Sequence, residues 1–380
     1  MKRILFCILI TFTSLAAHAN DGVFFVNGSQ LIPIQETSIE LTKEVLTISL
    51  CDDGYAKVDV QYQLTNKGEE KVLTMGFEAE APYNDDETLN KSGIHPYIKD
   101  FTVTMNGEQL TYKNSVVATT FGEPKVPVQL NLNQWKAADE AKLKPDEWLE
   151  NNTLYNAKLD SIVDYSYAYY FTATFRPGIN TVHHTYRYRM SFGVGRTFEV
   201  PYWLMPAMRW ANHQIDDFTL RIQATNTAKH FFMPDSIFLS QPFTVTEGAG
   251  KVRRTEHYEE SCTEVALRNG TVEWHATNFK PTANLFISSA DPLQMEHFVL
   301  GGFYDRSEGY EPWSYLPEKN TTYDKRILRN LPYASRGYVF KDPSLQKYFN
   351  ALWWYMPDPT WQTSTADFTP REWQLINKGE

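Results

Sequence analysis

The sequence predicts a mainly β protein with a small α domain: an antiparallel β-sandwich region, as one sandwich or two, followed by a C-terminal three-helix domain. Three observations carry this. Apolar residues recur with period two from residue 36 to about 300, Asn-Gly and Pro-Gly pairs punctuate those runs, and helix start and stop signals gather in the last segment.

The strands come first. At 57–64, KVDVQYQL, alternation puts Val58, Val60, Tyr62 and Leu64 on one face and Lys57, Asp59, Gln61 and Gln63 on the other, as in a half-buried strand. At 165–175, YSYAYYFTATF, the odd positions are Tyr165, Tyr167, Tyr169, Phe171, Ala173 and Phe175. Arg176-Pro177-Gly178-Ile179-Asn180 follows as a turn and 182–192 resumes the alternation, so the two segments are expected to form a hairpin. Asn106-Gly107 predicts another hairpin, with Val103 opposite Leu110 and Phe101 opposite Tyr112. Asn269-Gly270 predicts a third, with Leu267 opposite Val272 and Val265 opposite Trp274. Residues 83–100 read as an exposed loop, and 134–150 as short helices or a surface excursion. If the β region divides in two, its joint falls near 195–215, and the aperiodic 301–321 stretch is the expected linker to a helical domain over 322–380.

The chain opens with Lys2 and Arg3, an apolar run from Ile4 to about Leu15, and Ala17-His18-Ala19, the pattern of a cleaved signal peptide over residues 1–19. That run is short for a bilayer span, so no transmembrane segment is expected in the mature chain, which would work in the periplasm or outside the cell. A net charge of −10 without a long basic run argues against nucleic acid as a partner. In an oxidising compartment Cys51 and Cys262 either pair as a disulfide or remain two separate thiols, and both readings stand.

In the final segment Ile327, Leu331 and Ala334 share a helix face, Arg336 falls in the last turn, and Gly337 sits where a left-handed terminator is needed. Asp342-Pro343 reads as an N-cap with proline at the first helical position, with Leu345, Tyr348 and Phe349 on the buried side. Thr369-Pro370-Arg371-Glu372 is a capping box that opens a third helix expected to bury Trp373 and Ile376. The order Tyr333, Ala334, Gly337, then Tyr338, Phe340, Lys341, Asp342, Leu345, Phe349 and Trp354-Tyr355 resembles the YARHG domain of secreted bacterial proteins, with Ser335 and Arg336 standing where the family's name has Arg and His. The resemblance implies a secreted location and a small helical fold, and no reaction. Upstream, NDGVFFVNGSQLIP at 20–33 and VHHTYRYR at 182–189 are similar to an uncharacterised family of secreted β-rich proteins.

Two constellations are candidate sites. In the strand VHHTYRYRM, His183, Arg187 and Arg189 share a face that could hold an anion or carboxylate, against the plainer reading of an ion-paired sheet surface. His184 faces the other way, as a core imidazole hydrogen-bonded within an aromatic layer. In RWANHQIDDF, Trp210, Asn212, His213, Asp216 and Asp217 bring together a sugar-stacking ring, a histidine and two carboxylates, against the reading that acidic residues merely mark a strand boundary. Trp353-Trp354-Tyr355 is expected mostly in the helical core, with one tryptophan left to face the β region or a ligand. The H-E-x-x-H, G-x-S-x-G and P-loop signatures are missing, and no cofactor or metal is expected. Two functional readings result: a non-enzymatic secreted module binding an envelope component (glycan, peptidoglycan or protein), and a secreted hydrolase acting on carbohydrate or peptide.

Overall fold

A computed structural model of the chain describes residues 28–29, 32–33, 38–82, 89–118, 128–137, 153–193, 196–224, 229–238, 241–257, 260–289, 322–362, 364, 368, 372–373 and 376–377. The expected signal peptide, the linker, most of 134–150 and the capping-box residues Thr369, Pro370 and Arg371 lie outside them. The first strands are β1 (Gly28–Ser29), β2 (Ile32–Pro33), β3 (Ile39–Leu50), β4 (Tyr55–Asn66), β5 (Lys71–Glu80), β6 (Ile98–Met105) and β7 (Glu108–Gln109). There follow β8 (Lys113–Ala118), β9 (Val128–Gln129), β10 (Lys136–Ala137), β11 (Thr153–Asn156), β12 (Ser161–Phe175), β13 (Gly178–Arg189) and β14 (Ser191–Gly193). Then come β15 (Arg196–Trp203), β16 (Ile215–Ala224), β17 (Lys229–Pro234), β18 (Thr244–His257), β19 (Glu260–Phe279) and β20 (Leu285–Ser289), with helices α1 (Thr322–Ala334) and α2 (Pro343–Asn350).

The strands form two sheets. The larger has 13 strands in the order β1-β15-β20-β17-β19-β16-β3-β4-β13-β6-β7, with β14 added on β15 and β18 on β19; the smaller has seven, built around β10-β11-β12-β5-β2 with β8 and β9. Most pairs are antiparallel as expected, but β16 runs parallel to β3 and β1 parallel to β15. The alternation of β4 is as read: Val58, Val60, Tyr62 and Leu64 are buried. They meet Tyr167, Tyr169, Phe171 and Phe175 of β12 in one continuous core, where Phe77 packs 4.7 Å from Tyr186 and 5.6 Å from Tyr169. Rings of this size bury large apolar area and favour such offset geometries, which accounts for the aromatic content of 14%.

The expected hairpin of β12 and β13 is corrected. Phe175 pairs with Lys71 in the smaller sheet, whereas Gly178 pairs with Asn66 in the larger. The turn is therefore an arch that carries the chain from one layer to the other. Asparagines supply the hydrogen bonds that the ladder loses there. Buried Asn180 accepts from Arg176 N (3.1 Å) and donates to Arg176 O (2.8 Å), and Asn66 Nδ2 donates to Glu69 O (2.7 Å) and Phe175 O (3.0 Å) across the neighbouring arch.

The two Asn-Gly pairs part company. Asn106 and Gly107 both have positive φ (53° and 86°), and Leu110 N donates to Val103 O at 2.9 Å, so this is the predicted two-residue turn. At the second pair only Asn269 is left-handed (φ 44°), and β19 runs straight through it as one 20-residue strand. The predicted third hairpin is thus a β-bulge. Val265 and Leu267 must face the core on one side of it and Val272 and Trp274 on the other, an odd offset that a bulge satisfies as well as a hairpin does. Gly248 of β18 (φ +68°) lies opposite, where a Cβ would overlap the Asn269 main chain.

Other corrections are local. Within the loop expected to be exposed, His95 is buried, with its Nε2 2.9 Å from Glu80 O. Cys51 and Cys262 are two separate thiols, which is one of the two readings left open above. Of the three expected helices two are seen in full; α1 continues through Pro332, and Trp373, expected in the core, is 38% exposed.

The helix ends are as predicted. Gly337 has φ +83°, Gly337 N donates to Ala334 O (2.9 Å) and Tyr338 N to Tyr333 O (3.0 Å), the paired bonds of a Schellman terminator, with the Tyr333 and Tyr338 rings 6.0 Å apart. Asp342 caps α2 by accepting from Ser344 N (2.8 Å) and Leu345 N (3.2 Å), and the Ser344 and Arg326 bonds hold its carboxyl well below the usual carboxylate range. Ser335 and Arg336 are buried: Ser335 Oγ donates to Pro332 O, while Arg336 bonds both oxygens of Glu372 (2.7 and 3.0 Å) and lies over the Phe368 ring.

Candidate functional site

The RWANHQIDDF residues hold the fold together. Trp210 is buried and has no face to offer a sugar. Asn212 accepts from Leu41 N (3.1 Å) and donates to Leu41 O and Asp216 Oδ1, locking this turn to β3. Asp216 also accepts from Gln214, and exposed His213 takes a positive φ of 49° with its Nδ1 2.7 Å from Met208 O. Asp217 binds Lys43 (2.6 Å) on one neighbouring strand and His275 (2.8 Å) on the other, and the Lys43 bond foremost holds its carboxyl below the usual value. The histidine beside this carboxylate is therefore His275, not His213. Only the alternation of TVEWHAT, which sends His275 to the polar face, could have hinted at it. His275, Thr277, Lys280, Gln241 and Ser236 line an open groove of about 500 Å³.

The other constellation lies on the outer face of the larger sheet. Its partners are set by register: Arg187 of β13 pairs with Lys57 of β4 on one side and with Lys99 of β6 on the other. Three cations thus stand in a line across three strands, about 4.8 Å from one strand to the next. Like charges in directly opposed positions destabilise a sheet. Both Asp53 oxygens accept from Arg187 Nη2 (2.8 and 2.6 Å), which holds the guanidinium above its usual value. The Tyr55 ring takes Lys99 Nζ at 3.5 Å and the Arg187 guanidinium at 5.2 Å, both within cation–π range. Lys57 has no ion-pair partner among the described residues. Arg189 lies 5.6 Å from the Tyr97 ring, and His183 reaches Asp59 at 3.0 Å. Of the three residues singled out in the sequence, Arg187 sits at the centre of the line, Arg189 lies two residues further along β13 opposite Tyr55 and outside the line, and His183 belongs to a separate ion pair. Lys57 and Lys99 were missed because strand register, not spacing, brings them there.

His184, on the inner face of the same strand, is fully buried between Tyr62, Phe77, Phe101 and Tyr186. The expected hydrogen bond is not there: neither ring nitrogen has a partner, and burial pushes the imidazole down to about 3.

Away from this line, β17, β18 and β19 carry the helices on the same outer face. Lys251 donates to Trp353 O (2.9 Å) and Tyr355 O (3.0 Å), Arg268 donates to Met356 O, and Arg253 lies 4.5 Å from the Trp353 ring. Trp353 is thus the tryptophan left facing the β region. Beneath it, buried Glu264 accepts from His230 (2.7 Å) and Arg253.

By family comparison, residues 304–378 match the YARHG domain. The helical segment is a YARHG domain. Its match begins inside the stretch read as a linker. Upstream, residues 19–202 match a domain of unknown function (DUF4424). No curated protein matches the chain. Among solved structures, a candidate nutrient-binding protein from Legionella pneumophila is 18% identical with a TM-score of 0.49, covering 93% of this chain and 98% of that one. An M1 zinc metallopeptidase from Deinococcus radiodurans is 11% identical with a TM-score of 0.26, covering 67% of this chain and 43% of that one. Identities this low say nothing of ligands. Among the described residues, no helix is long and apolar enough to cross a membrane.

Proposed function

We propose that the chain is an exported, non-enzymatic binding protein whose open sheet face holds an anionic polymer of the cell envelope. The observation that supports this reading best is the Lys99–Arg187–Lys57 line. A folded protein keeps like charges opposite one another at a cost in stability, and here one carboxylate and one tyrosine ring answer three cations. A flat surface with cations repeated at strand spacing fits carboxylates or phosphates repeated along a chain better than a single small anion. The acidic groups favour binding over hydrolysis too, because Asp216 and Asp217 are turned toward different partners and do not converge.

The test is retention of residues 20–380 on purified peptidoglycan sacculi, against neutral glycan beads. Binding should fall with salt, as screening requires, and the Lys57→Glu/Lys99→Glu double variant should bind about tenfold more weakly or worse. Equal retention of native and double-variant protein at every salt concentration would remove the cationic line from the function.

A further inference from the structure

Gly337 is required twice. Its φ of +83° ends α1, and the space a side chain would fill there is taken by an arginine from the sheet: a Cβ at 337 would overlap the guanidinium of Arg268 in β19. In the same space Arg268 Nη1 donates to Met356 O at 2.5 Å, and Nη2 stands 3.9 Å from the Asp358 carboxylate. The walls are tied to each other, since Asp358 N donates to Gly337 O at 2.7 Å. Arg268 is only 5% exposed, and a buried guanidinium persists where acceptors meet its N–H groups and its plane has a flat slot to enter.

We propose that Gly337, Met356 and Asp358 form a guanidinium socket through which the YARHG domain is mounted on the sheet, with Arg268 as its ligand in this chain. The glycine of Tyr333-Ala334-Ser335-Arg336-Gly337 is then a recognition position as well as a helix terminator. Lys251, a few residues away on β18, shows how the same domain takes an ammonium instead, between two converging carbonyls with no slot over a glycine. The socket and the cationic line share no residue, so the fate of one reading leaves the other untouched.

The test uses the full mature chain and hydrogen exchange of the α1 and α2 amides, with the sheet amides as an internal reference. Arg268→Ala should raise exchange in both helices about tenfold or more, the loss expected for a charge-assisted hydrogen bond, while the sheet stays protected. Ethylguanidinium at about 20 mM, far below denaturing concentrations, should return protection toward the native level, and ethylammonium at the same concentration should not. Gly337→Ala, which keeps Arg268 but fills the slot, should release the helices and stay blind to ethylguanidinium. The proposal is overturned if Arg268→Ala leaves helix exchange unchanged, if ethylammonium rescues it equally, or if ethylguanidinium fails to rescue it. Should Arg268→Ala lose the sheet as well, Arg268→Lys decides, because it keeps the charge and stem but not the planar guanidinium: native protection of its helices overturns the socket, and release of the helices over a protected sheet supports it.

Discussion

The outer face of the larger sheet has two halves with the same chemistry and different fates. Across β17, β18 and β19, the cations Lys251, Arg253 and Arg268 each meet a carbonyl, carboxylate or ring, most of them from the YARHG domain. Across β4, β13 and β6, half-buried Arg187 bonds Asp53, it and exposed Lys99 lie over the Tyr55 ring, and exposed Lys57 has no ion-pair partner among the described residues. Two buried histidines lie on opposite faces of this sheet: His230, on the outer face against Trp353, bonds Glu264, whereas His184, on the inner face behind the open half, bonds nothing. A sheet can carry rows of cations when acceptors are brought to it. On one half they arrive with the C-terminal helices; on the other Asp53 and Tyr55 meet Arg187 and Lys99, and Lys57 is the cation left for the proposed ligand to meet.

The sharpest way to break this contrast is to strip the covered half of its internal support. Arg336→Met leaves Glu372, which is fully buried, without its cation and should cost about 3–5 kcal/mol in the YARHG domain, read as early loss of its tryptophan signal in urea. Adding Glu372→Met should restore most of that; a double variant as unstable as the single one would mean that packing, not charge, holds Arg336 there.

Next in size is acid. His184 and His95 are both held down to about 3, against an ordinary 6.5. The unfolded chain takes up protons that the folded imidazoles refuse, so their stability is complete above pH 6.5 and declines as pH falls from there toward 3. Between pH 7 and 5 this amounts to about 2 kcal/mol per histidine. Urea midpoints against pH should show the fall, and His184→Leu should flatten it by one share; an unaltered slope would refute the assignment.

The smallest effects test the two halves side by side. Lys57→Gln should raise stability by about 0.3 kcal/mol through relief of like-charge opposition while weakening sacculus binding. Lys251→Gln, on the covered half, should lower stability by about 1 kcal/mol. Thermal melts of the two variants shifting in the same direction would erase the distinction.

What could be read in the sequence was whatever is decided within a few residues. The alternation of β4, the Asn106-Gly107 turn, the Asp342 cap and the Gly337 terminator are all set by local sterics and local hydrogen bonds. The failures lie where one local pattern serves two global arrangements. The residues around Asn269-Gly270 satisfy a bulge and a hairpin equally, and Arg176 to Asn180 can turn within a sheet or arch between sheets. Trp210 could not be told from a sugar platform because its burial depends on strands far away, and Lys57, Lys99 and His275 join their partners only through register. The arginine that meets Gly337 comes from a strand 69 positions earlier (337 − 268), beyond any local motif.

One pairing has a practical consequence. β16 lies parallel to β3 in register from Asp217 opposite Lys43 to Ala224 opposite Leu50, so a strand beyond the DUF4424 match, which ends at residue 202, shields one flank of a strand within it. A protein expressed to that boundary would carry a bare row of main-chain donors and acceptors alongside Leu46, Ile48 and Leu50, an invitation to stack copy upon copy. The segment that bears the family's name is, in this molecule, a poor candidate for life on its own.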